Sequence, residues 1–229
     1  MEFRHVPVDT GAAEGPLPHK ISGGLVPVLE FELDGSGGVF FEHYVLLYKS
    51  TAVALKAAMP RGALKRLIGK MPVLLVGADG TGRLALSRDG PGQVLGVEVD
   101  PGRAVDVREH QFLAASHDLA YGFTRVRGMA NLLFGGSGFF VDRFTAGAAP
   151  GMVWLHAYGN LVEVVLGPGE SLDVEPGGWC YKDAGVGMTT VPVNIATGLV
   201  AGHRFLLNRF TGPGRVGIQS MSVYLPTEE

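Results

Sequence analysis

Histidine side chains are the first candidates for metal chemistry in this chain of 229 residues, which contains seven of them. Two histidines on one β-strand can bind the same metal when they lie two residues apart, because their side chains then point the same way. No two histidines have that spacing, and the closest pair in sequence is His110 and His117. We therefore expect no metal and no other cofactor, with the histidines on the surface or satisfied in the core.

Two glycine-containing sequences come close to catalytic or nucleotide-binding motifs without matching them. Gly135–Phe139 is similar to the turn that presents the catalytic serine of some hydrolases, but Phe139 stands where that motif requires glycine. Gly69 and Lys70 lack the earlier glycine and the following Ser or Thr of a phosphate-binding loop. Neither motif is complete, so the chain is predicted not to be an enzyme.

The bulk composition indicates a globular protein with no preference for nucleic acid. Hydrophobic residues make up 46% of the chain, and the net charge is −3, whereas nucleic-acid binding selects a strongly basic face. Cys180 is the only cysteine and cannot form an intrachain disulfide, which favours a reducing compartment. The chain does not begin with a secretory signal pattern, and its longest uncharged stretch, residues 184–202, is interrupted by turn-forming residues. We expect a soluble, cytoplasmic protein.

Apolar residues recur at matching places three times along the chain, at an offset of about 66 residues, which indicates an internal repeat. Val97–Gly102 is echoed by Val164–Gly169, and both segments end in Pro-Gly. Counting back from the middle copy by the same offset gives four further matches: Val97 with Phe31, Val99 with Leu33, Val105 with Val39, and Val107 with Phe41. In each copy the apolar residues are two apart, which is the period of a β-strand with one buried face.

The second half of the unit repeats with the same spacing. Val73–Leu75, Phe139–Val141 and Phe205–Leu207 follow one another at equal intervals, and an alternating strand closes each copy. A unit of this size buries its apolar face only marginally by itself, so three units should share a core. We predict an all-β fold of three repeated antiparallel β-sandwich units with approximate threefold pseudo-symmetry.

The repeat also predicts the domain boundaries. Residues 1–24 are expected to form an irregular N-terminal arm, because they contain several Gly and Pro residues. Residues 25–226 are expected to form a single domain. Its three repeats are predicted at about residues 25–90, 91–158 and 159–226, which leaves only the last few residues as a solvated tail.

Three segments resemble a known protein family. They are Leu133–Phe140, Leu166–Ser171 and Arg209–Val216, the last followed by Gln219 and Ser220. In these segments the sequence is similar to the altered-inheritance-of-mitochondria, protein twenty-four family, and the resemblance extends over residues 25–225. It implies a fold similar to the tryptophan RNA-binding attenuation protein (TRAP-like), with three β-sandwich units per chain. The family has no agreed catalytic residues, and the lack of an Arg- and Ser-rich presequence implies a bacterial cytoplasmic relative of its mitochondrial members.

Five individual side chains carry their own expectations. Cys180 and Trp179 are interpreted as buried core residues. Trp154 is out of phase with the apolar residues on either side, so it is a candidate for an exposed contact residue. Arg143 and Arg209 occupy matching places, and each begins an Arg-Phe-Thr sequence. They are expected to form structural salt bridges or carbonyl contacts between units, with a substrate anion site as the alternative.

The charge distribution differs among the three copies. The segment from Ala52 to Lys70 contains no acidic residue and five basic ones: Lys56, Arg61, Lys65, Arg66 and Lys70. The matching segments, residues 118–136 and 184–202, have charge balances of +1 and 0. This basic segment is either a solvated connector or a docking surface for an acidic protein or an anionic membrane surface.

Two functional hypotheses from different classes remain. The first is a non-enzymatic binding or scaffold protein that acts through its surface on an unknown protein or an anionic membrane, and a homo-oligomer is compatible with it. The alternative is a small-molecule-binding protein or enzyme that uses a pocket between repeats. The predicted inward positions carry Val, Leu, Ile and Phe and offer no repeated polar group, which favours the first hypothesis.

Reversing three charges of the basic segment tests the docking hypothesis. Replacing Lys65, Arg66 and Lys70 with Glu should abolish association with anionic vesicles, because each cation contributes on the order of 1 kcal/mol near an anionic surface. The melting temperature should stay nearly unchanged. Vesicle co-sedimentation at about 50 mM salt, where screening is weak, measures the association. Wild-type protein that does not associate under these conditions would show that the segment is only a solvated connector.

Overall fold

The computed structural model describes residues 1–7, 12–13, 17–58, 75–126, 139–193 and 206–222. Within these residues the chain folds mainly into antiparallel β-strands, with one short 3₁₀ turn at His43–Val45. The prediction of an all-β fold is thereby confirmed. The described part of the chain contains no helix that is long and apolar enough to cross a membrane.

Twenty strands are assigned within the described residues. In the first half of the chain they are β1 (Glu2–His5), β2 (Ala12–Ala13), β3 (His19–Ser22), β4 (Val28–Asp34), β5 (Val39–Glu42), β6 (Leu46–Lys49), β7 (Val53–Ala57), β8 (Leu75–Ser87), β9 (Gly92–Val99) and β10 (Ala104–Arg108). In the second half they are β11 (Phe112–Ser116), β12 (Leu119–Val126), β13 (Phe139–Ala146), β14 (Gly151–Tyr158), β15 (Leu161–Leu166), β16 (Ser171–Val174), β17 (Trp179–Asp183), β18 (Gly187–Pro192), β19 (Leu206–Thr211) and β20 (Gly214–Gln219).

The strands pair in the same order in each third of the chain. In the first third, one half of β8 pairs with β4 and β6, and the other half pairs with β5 and β7. In the second third, β14 pairs with β9 and β11, while β13 pairs with β10 and β12. In the last third, β20 pairs with β15 and β17, while β19 pairs with β16 and β18. The two halves of β8 therefore correspond to β13 and β14 of the second third and to β19 and β20 of the last third.

Glycines allow β8 to take part in two sheets. Gly80 and Gly82 lie where its two halves meet, and their φ angles are 111° and 121°. Backbone in this region is strained for residues that carry a Cβ atom but not for glycine. The strand therefore bends here instead of ending.

Two strand pairs join the three thirds of the chain to one another. β5 pairs with β11, with Phe41 opposite Ala114, and β10 pairs with β17, with Val107 opposite Tyr181. Phe41 and Val107 are matching positions of the predicted repeat, as are Ala114 and Tyr181, so the two junctions have the same register relative to it. The result is a ten-stranded and a seven-stranded sheet that both cross a boundary between thirds, plus a three-stranded sheet of β16, β19 and β18.

The apolar core of the described residues consists of three clusters, each centred on one third of the chain and each including residues of a neighbouring third. The alternating residues that the sequence marked as inward are buried, with exposed fractions of 3% or less: Phe31, Leu33, Val39, Phe41, Val97, Val99, Val105 and Val107. Phe31 and Phe41 belong to the first cluster, and Val97 and Val107 belong to the second. The third cluster surrounds Phe210. Period-two alternation therefore identified these core positions correctly.

The N-terminal residues are not the irregular arm that the sequence predicted. β1 pairs with β15, and β3 pairs with β4 while β2 pairs with β3. Each of these pairings covers an outer edge of a sheet whose backbone N–H and C=O groups would otherwise lack strand partners. Pro7 and Pro18 lie just outside β1 and β3, so short strands sit next to residues that are typical of irregular structure, and composition did not reveal them.

The expectation that Trp154 is exposed is wrong. Its side chain is completely buried, and its ring lies 4.7 Å from the ring of Phe31 and 5.1 Å from that of His19. The reason is that β14 is buried on both faces, so residues in either phase of the alternation enter a core. Trp179 and Cys180 are both buried, as expected, and burial raises the pKa of the Cys180 thiol to about 12.

A buried ion pair ties the first third of the chain to the second. Arg88 follows β8, and its Nη2 atom donates hydrogen bonds to Glu42 Oε2 at 3.0 Å and to the carbonyl oxygen of Phe112 at 2.8 Å. The side chains of Arg88 and Glu42 are only 2% and 3% exposed. Both charges are removed from water, so removing one of them leaves the other buried without its main counter-charge.

Replacing Arg88 with Met should therefore destabilise the protein by about 3–5 kcal/mol, measured by urea unfolding. Arg83→Met is the matched control, because Arg83 pairs with Glu32 at 3.3 Å while both side chains are more than 60% exposed. The control should change stability by less than about 1 kcal/mol. Equal losses in the two variants would contradict a stabilising role for the buried pair.

His156 in β14 is a buried titratable group close to this ion pair. Its side chain is fully buried, and its ring lies 4.9 Å from that of Tyr158. Burial, together with the positive charge of Arg88, lowers the pKa of His156 to about 4. The ring is thus neutral in the folded protein at pH 7, whereas an unfolded chain binds a proton below about pH 6.5. The stability that depends on the neutral ring is present above pH 6.5 and is lost as the pH falls to 4.

The His156→Gln variant tests this pH dependence, because Gln219 occupies the matching place in β20 and is also buried. Between pH 7 and pH 4 the wild type should lose on the order of 3 kcal/mol more unfolding free energy than the variant. His117→Gln is the control, since His117 is 42% exposed. Parallel stability curves for the wild type and His156→Gln would refute the prediction.

Candidate functional site

The outer edges of three matching strands differ in what covers them. β4, β9 and β15 begin the three pairing sets, and each pairs on its inner side with the closing strand of its own set. The outer edge of β4 is covered by β3, and that of β15 by β1. Among the described strands, β9 pairs only with β14 and forms the end of its sheet. Within the described residues, Gly92 N–H at the start of β9 is hydrogen-bonded to the carbonyl oxygen of Leu25 at 2.9 Å, and the outer edge beyond it, from Val94 to Glu98, has no strand partner there and can pair with another chain.

The two covering strands have the same direction and register, and they share one basic position. Both run antiparallel to the strand they cover, with Lys20 of β3 opposite Glu30 and Arg4 of β1 opposite Glu163. Glu163 lies two offsets of the predicted repeat after Glu30, so these glutamates are at matching places of that repeat. The matching residue of β9 is Gly96. Each covering strand thus places one basic residue at the same point along the edge.

A cleft runs along the outer edge of β9. The first part has a volume of about 420 Å³ and is lined by Val6, Pro7, Val94, Leu95, Gly96, Val97, Glu98, Glu163, Tyr181 and Arg215. A second hollow of about 690 Å³ shares Glu98 and Arg215 with the first and continues towards the start of β10. These volumes are typical of ligand sites. We call the two hollows together the β9 cleft.

The β9 cleft carries more negative than positive charge. Its walls contain four carboxylates and two guanidinium groups: Glu98, Asp100, Glu163, Asp183, Arg103 and Arg215. Arg215 binds Asp183 through both ends of its guanidinium group, with Nη2 to Oδ1 at 2.9 Å and Nε to Oδ1 at 3.2 Å. Glu98 is exposed in the wall that the two hollows share. The cleft therefore favours a ligand with a positive charge.

Two residues of the cleft have pKa values shifted by their surroundings. Burial raises the pKa of Tyr181 well above its usual value, and the neighbouring Glu163 carboxylate, which accepts a hydrogen bond from its hydroxyl group, adds to the effect. Burial is the largest single influence on the pKa of Arg215 and lowers it, but the hydrogen bonds to Asp183 and the nearby negative charges together raise the pKa above its usual value. Both groups keep their protons across the physiological range, so neither offers a general base.

The histidines named from the sequence do not form a metal site in the described structure. His110 lies 3.9 Å from Glu109, whereas His117 lies 3.5 Å from Asp79. Within the described ranges, no three His, Cys, Asp or Glu side chains come together in a way that could hold a metal ion. The expectation of a protein without metal remains a prediction.

The basic segment falls mostly outside the described residues. Lys56 lies in β7 and is exposed, as a docking residue would be. The other four predicted docking residues, Arg61, Lys65, Arg66 and Lys70, lie in the undescribed range 59–74, as does Gly69. Of the glycine-rich sequence Gly135–Phe139, only Phe139 is described.

Arg143 and Arg209 form salt bridges, as the sequence analysis expected. Arg143 binds Asp106 through Nε at 2.6 Å and Nη2 at 2.9 Å, and Arg209 binds Asp173 through the same two atoms at 2.7 and 2.6 Å. Each pair joins neighbouring strands within the same third of the chain, β10 to β13 and β16 to β19. The expected contact between different units is therefore not what these two pairs make. Both guanidinium groups are engaged by carboxylates, so neither offers an anion site.

The sequence analysis missed the β9 cleft, although two signals pointed to it. Glu30 and Glu163 occupy matching places in the first and last copies, whereas the middle copy has Gly96 there. The two basic residues that lie opposite these glutamates, Lys20 and Arg4, come from the segment that was interpreted as an irregular arm. Recognising the short N-terminal strands would have shown that the middle copy lacks a covering strand.

Comparisons with known proteins agree with this architecture. An uncharacterised protein of Streptococcus pyogenes serotype M6 is 24% identical over 225 residues, which cover 88% of this chain and 88% of that protein. The crystal structure of a Streptococcus pyogenes protein superposes with a TM-score of 0.69 and 18% identity, over 90% of this chain and 94% of the other. A model of the family described as mitochondrial biogenesis AIM24 matches residues 19–221. This chain belongs to the mitochondrial biogenesis AIM24 family.

Proposed function

We propose that this chain is a non-enzymatic binding or scaffold protein of the cytoplasm that captures an extended, basic segment of a partner protein along β9. One observation carries the proposal. β4 and β15 each receive an antiparallel strand on their outer edge, whereas the matching edge of β9 receives none from the described residues. In strand addition, main-chain hydrogen bonds to a free edge supply affinity and side-chain contacts supply specificity.

The finer description of the fold is part of the same proposal. We propose that the chain consists of three copies of one antiparallel β-sandwich unit with approximate threefold pseudo-symmetry, similar to the tryptophan RNA-binding attenuation protein. The recurring pairing order and the equal registers of the two junctions support it. With three equivalent edges, two of them covered from within the chain, the third is the natural place for a strand from another protein.

The expected register of the captured segment follows from β1 and β3. Lys20 lies opposite Glu30, and Arg4 lies opposite Glu163. A strand that binds β9 in the same way has its basic residue opposite Gly96, the matching residue of β9. Glu98 is then its diagonal neighbour, at a distance that a long basic side chain can span. The excess of carboxylates in the β9 cleft adds a longer-range attraction, which is screened at high salt.

A small-molecule site is the alternative, and one feature favours it. Glu163, Tyr181 and Arg215 converge on a hollow of about 420 Å³ that lies between the second and last thirds of the chain. This is the kind of pocket between units that a small-molecule-binding protein or an enzyme would use. The alternative expects that protein purified from its native source carries a small molecule, detectable by native mass spectrometry.

The basic segment is a second proposed contact surface. Lys56 and the four basic residues that follow it could bind an acidic protein or an anionic membrane surface, because cations contribute additively near such surfaces. This proposal rests on the charge pattern of the sequence and does not depend on the β9 cleft. The two surfaces therefore need separate tests.

A peptide with the sequence of residues 17–23, which contains β3, is a direct probe of the β9 edge. Measured by fluorescence anisotropy, it should bind the wild-type protein, and Glu98→Lys should weaken binding by at least about tenfold because it replaces an attraction by a repulsion. Reversing the charge of the peptide by Lys20→Glu should restore binding to the Glu98→Lys protein.

Glu32→Lys is the matched control variant. Glu32 lies one repeat before Glu98, on β4, whose outer edge is already covered by β3, so its reversal should leave peptide binding unchanged. The proposal fails if the peptide shows no saturable binding at about 1 mM, the limit of a weak specific interaction. It also fails if Glu98→Lys and Glu32→Lys bind the peptide equally well.

A further inference from the structure

The two junctions between thirds of the chain share more than their register. At the second junction, Asp106 of β10 lies opposite Lys182 of β17, and Lys182 Nζ donates a hydrogen bond to Asp106 Oδ2 at 2.8 Å. Asp106 also binds Arg143 on the neighbouring strand of its own third. The first junction has an apolar pair, Phe40 and Ala115, at the same place. Each junction therefore joins the second strand of one set to the third strand of the next.

Because each junction joins neighbouring sets, the third strand of the first set and the second strand of the last set have no junction partner within the described residues. The third strand of the first set is β6, which pairs only with β8 among the described strands, and the second strand of the last set is β16, which pairs there only with β19. Within the described part of one chain, β6 and β16 do not pair with each other. Among the described strands, one edge of each of the two kinds that form a junction thus has no strand partner, so strand pairing there does not close the threefold arrangement within one chain.

The exposure of these two strands contrasts with that of their counterparts. Every residue of β11 is buried, as are the first four of the five residues of β17. In β6, by contrast, Leu47 is 55% exposed and Tyr48 is 47% exposed. Large apolar side chains on an unpaired strand edge are unusual in a protein that acts alone, because such an edge invites pairing.

We infer that β16 of one copy pairs with β6 of a second copy, in the register of the two internal junctions, so that molecules associate head to tail. Adding the repeat offsets to the observed pairs gives the expected register, which consists of Val174 opposite Tyr48, Asp173 opposite Lys49, and Leu172 opposite Ser50. The inference identifies the partner of these edges as this chain itself. It is independent of the peptide-binding proposal, which concerns β9.

Local contacts at the two free edges match those at the second junction. Asp173 binds Arg209 as Asp106 binds Arg143, with Nη2 to Oδ2 distances of 2.6 and 2.9 Å. Asp173 therefore has an arginine partner, as Asp106 does. Within the described residues it has no partner that corresponds to Lys182, which binds Asp106 from across the junction.

Lys49 of β6 is the counterpart of Lys182, and its side chain already makes one of the contacts that Lys182 makes at the second junction. The Lys49 Nζ atom donates a hydrogen bond to the carbonyl oxygen of the next residue, Ser50, at 3.3 Å. Lys182 makes the same contact with Asp183 at 3.4 Å while it binds Asp106. Pairing of two copies would therefore bring Lys49 of one copy to Asp173 of the other. This would form the counterpart of the Lys182–Asp106 ion pair with little rearrangement of either side chain.

The interface is heterologous, because two different edges meet. Such an interface forms closed rings when the rotation between copies closes, and open filaments when it does not. Since a dimer formed in this way keeps one free edge of each kind, association should continue beyond a dimer. It should also strengthen with protein concentration and weaken with salt.

Charge reversal at the two edges provides a test with an internal check. Lys49→Asp places Asp opposite Asp173, and Asp173→Lys places Lys opposite Lys49, so sedimentation velocity should show at least about tenfold weaker self-association for each variant alone. An equimolar mixture should assemble like the wild type, because each edge of one variant then meets an edge of opposite charge on the other. The double variant Lys49→Asp/Asp173→Lys should recover wild-type assembly.

Glu32→Lys is the control, since Glu32 is an exposed carboxylate on a strand that takes no part in either junction. It should associate like the wild type, and all variants should keep the wild-type circular dichroism spectrum and bind the peptide of residues 17–23 unchanged. The inference is overturned if the wild type is monomeric at about 1 mM protein in low salt. It is equally overturned if the single variants associate as well as the wild type, or if their mixture contains only monomers.

Discussion

Hydrogen bonding across the two junctions, β5 with β11 and β10 with β17, is the interaction on which the rest of the structure depends. Strands from consecutive thirds become neighbours in one sheet, so the three apolar clusters are held together by continuous backbone ladders and not by side-chain packing alone. The same pairing explains why β11 and β14 are buried on both faces, and why a tryptophan in the unexpected phase of β14 still lies in the core. It also decides which strand edges are left over.

Charged groups at the boundaries are tolerated because they are paired. Arg88 with Glu42, and Lys182 with Asp106, lie where strands of different thirds meet, and both pairs are nearly excluded from water. Buried pairs contribute little net stability compared with apolar residues, but a partner left alone is costly. These pairs therefore favour the observed alignment of the thirds over shifted alternatives, in which the charges would lose their partners. His156 adds a second constraint, because the fold keeps it neutral.

The sequence predicted the repeating strands and the core positions, since both follow from residue spacing. Phe31, Phe41, Val97 and Val107 are buried because alternation with a period of two is a local property of a strand. The burial of Trp154 and the pairing of the N-terminal strands could not be predicted in the same way. Both depend on which strands become neighbours, and a strand such as β1 has only four residues, all exposed. The uncovered edge of β9 was missed because it is defined by a missing neighbour, and the hint within β9 itself is a single residue, Gly96, at the place of Glu30 and Glu163.

Strand edges thus connect the architecture with the proposed binding function, and residue-resolved hydrogen exchange tests this connection most directly. In dilute protein, the backbone amides of β9 that face away from β14 should exchange much faster than the corresponding amides of β4 and β15, whose outer edges are covered. Addition of the peptide of residues 17–23 should slow exchange in β9 and leave β4 and β15 unchanged. Equal protection of all three edges in the free protein, or slowing by the peptide at sites other than β9, would contradict the account.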